Sequence, residues 1–191
     1  QVGEQIFKEE RTLWADSSFF DIFSHQIISG DKSGFLRSPD VAVISESTAR
    51  RYFGNDNPVG KIIYTVNPGK NPVTIQGVFR DVPENSHLKF DIALSLWPAA
   101  NNSYCYSCNN TNTYFLVRKG ADTGEISKKI TDLAKENFAS RDVQIDFPIE
   151  FYLQPVTDIH LHSNYRFEYG GDFGGATMFT LGGVADSGGK I

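Results

Sequence analysis

The first half of the chain consists of short apolar stretches separated by clusters of turn-forming residues. VAVIS, residues 41–45, is a continuous apolar run that is typical of a buried strand. Residues 88–97 alternate in polarity, which predicts a strand with one buried face. The apolar positions of that face are Leu88, Phe90, Ile92, Leu94 and Leu96. Further strands are predicted over residues 5–14, 61–66 and 73–82, with Gly77 as a bulge.

Two helices are predicted between these strands. The first runs from Asp16, as its N-cap, to Gly30, with an apolar stripe of phenylalanines that ends at Ile27. The second follows residues 41–45 directly, because the Ser45 hydroxyl can cap its first turn and Gly54 can adopt the left-handed conformation that ends it.

The second half of the chain predicts a compact strand–helix–strand unit over residues 112–156. A strand is expected over residues 113–119 and another over 145–156, in which Pro148 indicates an edge position. Between them lies a helix that begins with a capping box of Asp122 and Glu125. Its predicted buried stripe is Ile126, Ile130, Leu133, Ala134 and Phe138, and Glu125 and Lys129 are spaced for an ion pair.

These elements predict an α+β protein of two lobes. The first lobe covers residues 1–98, a polar loop covers 99–111, and a second, βαβ lobe covers 112–165. Residues 166–191 form a glycine-rich tail that we expect to be loosely ordered, at the boundary of an excised domain.

Composition excludes some classes of protein. The chain has 191 residues, 40% hydrophobic, which is enough for a substantial core. Its net charge of −5 disfavours binding to a phosphate backbone, so nucleic acid is not an expected partner. No apolar run reaches the roughly 18 residues of a transmembrane helix, and the first residues do not resemble a signal peptide.

Cys105 and Cys108 lie together in the sequence YCYSC. A local disulfide or two free thiols are the favoured interpretations, since no helix follows that would stabilise a reactive thiolate. A zinc site would need more ligands, and the chain has no second cysteine pair. We therefore predict a candidate disulfide and no metal.

The four histidines give no clear site. His160 and His162 could share a strand face and hold a metal together with Asp158, but this spacing is a weak signal. His25 is placed in the first helix near its solvent edge, and His87 in a polar loop. No partner for catalysis lies near either of them in the sequence.

Catalytic and cofactor motifs are also missing from the sequence. It contains no G-x-S-x-G elbow, no P-loop and no G-x-G-x-x-G after a strand. Arg50 and Arg51 are interpreted as a solvated helix edge. We predict no catalytic, cofactor-binding or metal-binding residues, and no enzyme.

Three stretches together resemble one family. They are ADSSFFDIFSHQIISGD, VAVISESTARRYFGNDNPVGKII and VTIQGVFRDVPENSHLKFDIALSL, followed in order by TYFLVRKG and LQPVTDIHLHSN. This series is similar to the MacB-like periplasmic core domain of bacterial ABC transporter permeases of the MacB/FtsX superfamily. The resemblance covers about residues 5 to 165.

The resemblance implies a location and a role. Such a domain lies on the periplasmic side of the inner membrane, between the first two transmembrane helices. Its lobes, called sabre and porter, would correspond to residues 1–98 and part of 112–165; the first half of the porter lobe would precede Gln1. Family permeases form homodimers, work with a cytoplasmic ATPase and pass its motion across the membrane. Some drive efflux with a periplasmic adaptor protein.

Two other functions stay open at the level of sequence. An extracytoplasmic module that binds a peptide or glycan would be supported by exposed aromatic side chains such as Tyr104, Tyr106 and Tyr114. A metal-dependent enzyme would need His160 and His162 as ligands. A deep pocket with convergent polar groups would favour either of these over a mechanical domain.

Overall fold

The computed structural model describes Val2 and residues 6–65, 70–96, 112–140 and 150–156, together with the backbone of 181–182. The chain divides into two compact units, residues 1–104 and 105–191. The division falls within the polar stretch 99–111.

The first unit is built on one mixed sheet with two helices. Its elements are β1 (Thr12–Ala15), α1 (Phe19–Ile22), β2 (Ile27–Ser29), β3 (Val41–Ser45), α2 (Glu46–Phe53), β4 (Ile62–Thr65), β5 (Asn71–Phe79) and β6 (Ile92–Ser95). The strands pair in the order β1-β6-β3-β5-β2, and β4 pairs with β5 on the same edge as β2. The α+β class predicted from the sequence is confirmed.

Two of the three inner strands of the sheet, β3 and β6, are buried on both faces. All five residues of β3 are buried, as the continuous apolar run predicts. The alternating pattern of β6 was interpreted as a half-buried strand, and this is wrong, because Ala93 and Ser95 are buried as well. Ser95 Oγ donates to the Leu36 carbonyl, so a second layer of chain covers that face.

The helix α2 forms where the sequence places it. Ser45 Oγ accepts a hydrogen bond from the Thr48 amide at 3.3 Å, and Gly54, at φ 63°, ends the helix. Its inner face packs on the sheet through Ala49, with Tyr52 and Phe53 partly buried beside it. The capping residues therefore predicted the ends of this helix, and its amphipathic pattern predicted which face is buried.

The long helix predicted from Asp16 to Gly30 is wrong except for the single turn of α1. The helix α1 ends at Ile22, since Phe23 is extended, and the chain then forms β2 antiparallel to β5. Pairing with a neighbouring strand overrides the helical periodicity of the phenylalanines, which a local pattern cannot reveal. Asp16 does not cap this helix; its carboxylate accepts from the amide and hydroxyl of Ser18.

Two other strands differ in extent from the prediction. β1 covers Thr12–Ala15 rather than residues 5–14, and residues 6–10 form no strand. In β5 the register against β3 shifts by one residue next to Gly77, which confirms the predicted bulge. A Cβ atom at Gly77 would lie 2.2 Å from the Phe35 ring, so only glycine allows this approach.

The described part of the second unit is dominated by the helix α3 (Thr123–Ala139). Asp122 caps it by accepting from the Gly124 and Glu125 amides, and Glu125 pairs with Lys129 at 2.7 Å. Leu133 was placed on the buried stripe, but its side chain is 62% exposed. Thr131 is buried instead, because its hydroxyl accepts a hydrogen bond from the Phe151 amide.

The strands of this unit are short. Residues 112–120 contribute one bridge residue, Tyr114, where a strand was predicted over 113–119. β7 (Leu153–Gln154) pairs in parallel with β8 (Leu181–Gly182). Of the strand predicted over 145–156, residues 145–149 lie outside the described residues, and within the described part, 150–156, only Leu153–Gln154 form a strand. Most of the tail lies outside the described residues.

Candidate functional site

Several residues singled out from the sequence lie outside the described part of the chain. These are Cys105, Cys108, Asp158, His160 and His162, so the candidate disulfide and the candidate metal ligands stay predictions. Among the residues that the structure describes, no group of three or more histidine, cysteine, aspartate or glutamate side chains is arranged to hold a metal ion.

The structure brings His25 and His87 together, although four strands, β2 to β5, and helix α2 lie between them in the sequence. His25 does not lie in a helix near solvent, as predicted, but in the extended segment that follows α1. The ring of His87, in the loop between β5 and β6, contacts Phe23 at 5.9 Å between centroids. The sequence-based placement of His25 failed for the same reason as the long helix.

His25 lies in a cluster of phenylalanine rings. Its ring stacks on Phe19 at 5.6 Å and meets Phe90 edge-on at 5.1 Å. Burial, followed by the charge of His87, lowers the pKa of His25 from 6.5 to about 4. The imidazole is therefore neutral near pH 7 and adds to the apolar packing of this cluster.

A second group of contacts fastens the N-terminal residues 6–10, here called the arm, to the helix α2. Arg51 Nη2 donates to both carboxylate oxygens of Glu9 at 2.8 Å, and the Tyr52 hydroxyl donates to Glu9 at 2.6 Å. The rings of Phe7 and Tyr52 lie 4.5 Å apart. We call Phe7, Glu9, Arg51 and Tyr52 the arm contact.

The arm contact is well suited to hold a charge away from bulk water. The Glu9 side chain is only 15% exposed, so its carboxylate depends on the hydrogen bonds it accepts. Burial, then the hydrogen bond to Glu9, raises the pKa of Tyr52 above its usual range, which keeps this hydroxyl a donor. The contact thus joins charge pairing and ring packing in one place.

The chain just after the arm is also tied to the sheet. The Arg11 carbonyl accepts from the Asp91 amide at 2.8 Å, and the Arg11 guanidinium lies 3.4 Å from the Asp91 carboxylate. Burial raises the pKa of Asp91 and the charge of Arg11 opposes that rise. The arm is therefore attached to α2, and the residue that follows it, Arg11, is attached to Asp91, just before β6.

Sequence reasoning missed the arm contact. Arg51 was interpreted as part of a solvated helix edge, and that interpretation holds for Arg50, which pairs with Glu46 on the same helix. Glu9 lies 42 residues before Arg51, and nothing in a single sequence pairs two charges at that separation. The available signal was an aromatic and an arginine on adjacent positions of one helix.

The chain belongs to the family of MacB-like periplasmic core domains, whose family model matches residues 2–133. This family comprises periplasmic core domains of ABC transporter permeases and is not a known catalytic family. Among the described residues, no helix combines the length and apolar character needed to cross a bilayer.

Solved structures resemble the chain as well. A domain of a protein described as a permease, from Porphyromonas gingivalis, is 25% identical, with a TM-score of 0.55 and coverage of 71% of this chain. The chain spans 63% of that structure. The periplasmic region of MacB from Actinobacillus actinomycetemcomitans is 16% identical, with a TM-score of 0.49 and coverage of 73% and 62% of the two chains. No curated protein gives a significant match.

Proposed function

We propose that this chain transmits ATP-driven motion within an ABC transporter permease and docks periplasmic partners, without catalysing a reaction itself. Residues 1–98 act as the sabre-like lobe and 112–165 as part of the porter-like lobe. The partners are a cytoplasmic ATPase, reached through the membrane part of the permease, a second copy of the permease, and a periplasmic adaptor protein. Membership of the family of permease domains supports this assignment.

The observation that carries the proposal is the arm contact. A domain that transmits movement must be held firmly to the chain that enters it, since slack at the entry would dissipate the displacement. Residues 6–10 are held to α2 by the charged hydrogen bonds of Glu9 and by the packing of Phe7 on Tyr52. A pull on the arm therefore acts on the helix.

The next step passes from the helix to the sheet. Ala49 of α2 packs in the same buried cluster as Ala42 and Ile44 of β3 and as Leu94 of β6. Close-packed interiors deform little and transmit displacement. Force applied at the arm would therefore move the sheet as a body, which is what a lever requires.

The first test compares distances within the reconstituted permease, together with its ATPase, in nucleotide-free, ATP-bound and post-hydrolysis states. Spin labels replace the exposed residues Asn55 and Lys128, one in each unit, with Cys105 and Cys108 changed to serine. A matched reference pair, Asn55 and Asn85, lies within the first unit. We expect the distance between the units to change with nucleotide and the reference distance to stay constant.

Constant distances for both pairs would contradict the transmission of motion. A second measurement purifies the full-length permease from its native membrane and identifies the proteins that accompany it by mass spectrometry. Recovery of a cytoplasmic ATPase is expected, and recovery of a periplasmic adaptor would extend the proposal to efflux. A permease that retains a soluble ligand but no ATPase would overturn it.

A further inference from the structure

We propose that His25 and His87 form an acid-sensitive latch, in which protonation of the buried His25 imidazole releases the segment after α1 from β5 and from the loop that precedes β6. Such a latch is separate from the transmission of motion and does not depend on it. It rests on the ring cluster around His25, on the elements that this cluster joins, and on the charges nearby.

Phenylalanine rings surround His25 from several directions. Their centroids lie between 5.1 and 6.3 Å from the imidazole centroid. The rings are those of Phe19, Phe20, Phe23, Phe79 and Phe90. The buried Nε2 atom of His25 has no hydrogen-bond partner among the residues that the structure describes. The cluster therefore accommodates a neutral imidazole as one more ring.

The rings belong to three different elements, so the cluster works as a junction. Phe19 and Phe20 come from α1, Phe79 is the last residue of β5, and Phe90 lies just before β6. The Arg80 amide donates to the Gln26 carbonyl at 2.8 Å, beside His25 in sequence. Opening the cluster would separate α1 and its following segment from the other two elements.

A protonated His25 would find no compensating charge in the cluster. Of the charged groups on the surrounding elements, Asp21 pairs with Lys32, Asp81 accepts from the Ser47 amide, Glu84 pairs with Lys89, Asp91 pairs with Arg11, and Arg80 is exposed. Burial is the main cause that lowers the pKa of His25, and the charge of His87 lowers it further because it has the same sign.

The direction of the pH effect follows from the two pKa values of His25. The ordinary value of 6.5 applies to the unfolded chain, and the folded value is about 4. Between pH 4 and pH 6.5 the unfolded chain binds more protons than the folded chain. The stability that neutral His25 contributes is therefore fully present above pH 6.5 and is lost as the pH falls toward 4. Acid therefore weakens the latch and neutral pH closes it.

The first experiment is a titration of the 191-residue chain by NMR, which needs no variant. The imidazole signals of His25 should move with a pKa of about 4. In His87→Gln, the pKa of His25 should rise, because a like charge is gone. A wild-type His25 that titrates near 6.5 would overturn the proposal.

The second experiment measures unfolding by denaturant between pH 7 and pH 4 for the wild type and for His25→Phe, which keeps a ring but cannot be protonated. The unfolding constant of the wild type should rise on the order of 100-fold more than that of the variant. Equal pH dependence of the two proteins would contradict the latch. If His25→Phe does not fold, His25→Gln takes its place.

The third experiment locates the opening by hydrogen exchange, corrected for the pH dependence of the intrinsic rate. The Arg80 amide, which donates to Gln26, should exchange faster at pH 4.5 than at pH 7 in the wild type and not in His25→Phe. The Thr74 amide, which donates to the Asp40 carbonyl elsewhere in β5, is the control and should stay protected. Equal loss at both amides would indicate global unfolding and would exclude a local latch.

Discussion

The two units of the chain are stabilised in different ways. In the first unit, β3 and β6 are buried on both faces, and phenylalanine rings and helix α2 supply the covering layers. In the described part of the second unit, helix α3 buries Thr131 and Phe138, while Leu133 stays 62% exposed. The described residues 112–120 likewise leave Leu116 62% exposed.

The difference extends to hydrogen bonding. The first unit satisfies its sheet backbone by strand pairing, whereas in the second unit hydroxyl groups of helix α3 supplement the short pairing of β7 with β8. Ser127 Oγ accepts from the Leu153 amide at 3.0 Å, and Thr131 Oγ1 accepts from the Phe151 amide at 2.9 Å. Removing a buried ring leaves a cavity, which strongly lowers the free energy of unfolding, whereas removing a single hydrogen bond lowers it modestly.

The largest effect should follow from removing a ring of the first core. Phe90 is fully buried, so Phe90→Ala should lower the free energy of unfolding of the first unit by about 4 kcal/mol. The same change in the second unit, Phe115→Ala, affects a side chain that is already 37% exposed and should cost about 1–2 kcal/mol.

Two spectroscopic probes separate the units in this experiment. Both tryptophans, Trp14 and Trp97, precede residue 105, where the second unit begins, so tryptophan fluorescence reports on the first unit, whereas circular dichroism at the helix band is weighted toward α3. Equal losses for the two variants would contradict the contrast between the units.

The predictions from the sequence succeeded or failed according to how far apart in the sequence the interacting residues lie. Most local signals were reliable, although the Asp16 cap was wrong: the Ser45 cap, the Asp122 cap and the Glu125–Lys129 pair all depend on residues within four positions of one another. The continuous run of β3 was reliable too, since complete burial needs only apolar side chains.

The failures involve partners that are distant in the sequence. Residues 27–29 form a strand because they pair with β5. Thr131 is buried in place of Leu133 because its hydroxyl accepts a hydrogen bond from the Phe151 amide. Neither of the two clusters around Glu9 and His25 was predicted, because each joins side chains more than forty residues apart. A pattern of hydrophobic positions carries no information about such pairs.

A medium effect is expected at the arm contact. Glu9→Gln keeps the shape of the side chain but removes the charge that receives Arg51 and Tyr52, and it should destabilise the first unit by about 1–3 kcal/mol. Glu10→Gln is the matched control, because Glu10 pairs only with the exposed Lys8 among the described residues. Its effect should stay below about 0.5 kcal/mol.

The proposed role of the arm contact adds a sharper readout. In the permease, Glu9→Gln should reduce the change in the Asn55–Lys128 distance on ATP binding while ATP hydrolysis continues, since the arm is loosened but the ATPase is untouched. Glu10→Gln should leave that distance change as it is in the wild type. A full distance change in Glu9→Gln would show that the arm contact serves stability alone.

The smallest effect tests the hydroxyl bonds of the second unit. Thr131→Val keeps the volume of the side chain and removes the acceptor of the Phe151 amide, so it should cost about 1–2 kcal/mol, measured by circular dichroism during denaturant unfolding. Thr113→Val, at an exposed position, should be close to neutral. If Thr131→Val were equally neutral, apolar packing would replace the hydroxyl as the main tie between α3 and residues 151–153, and the two units would be stabilised in the same way.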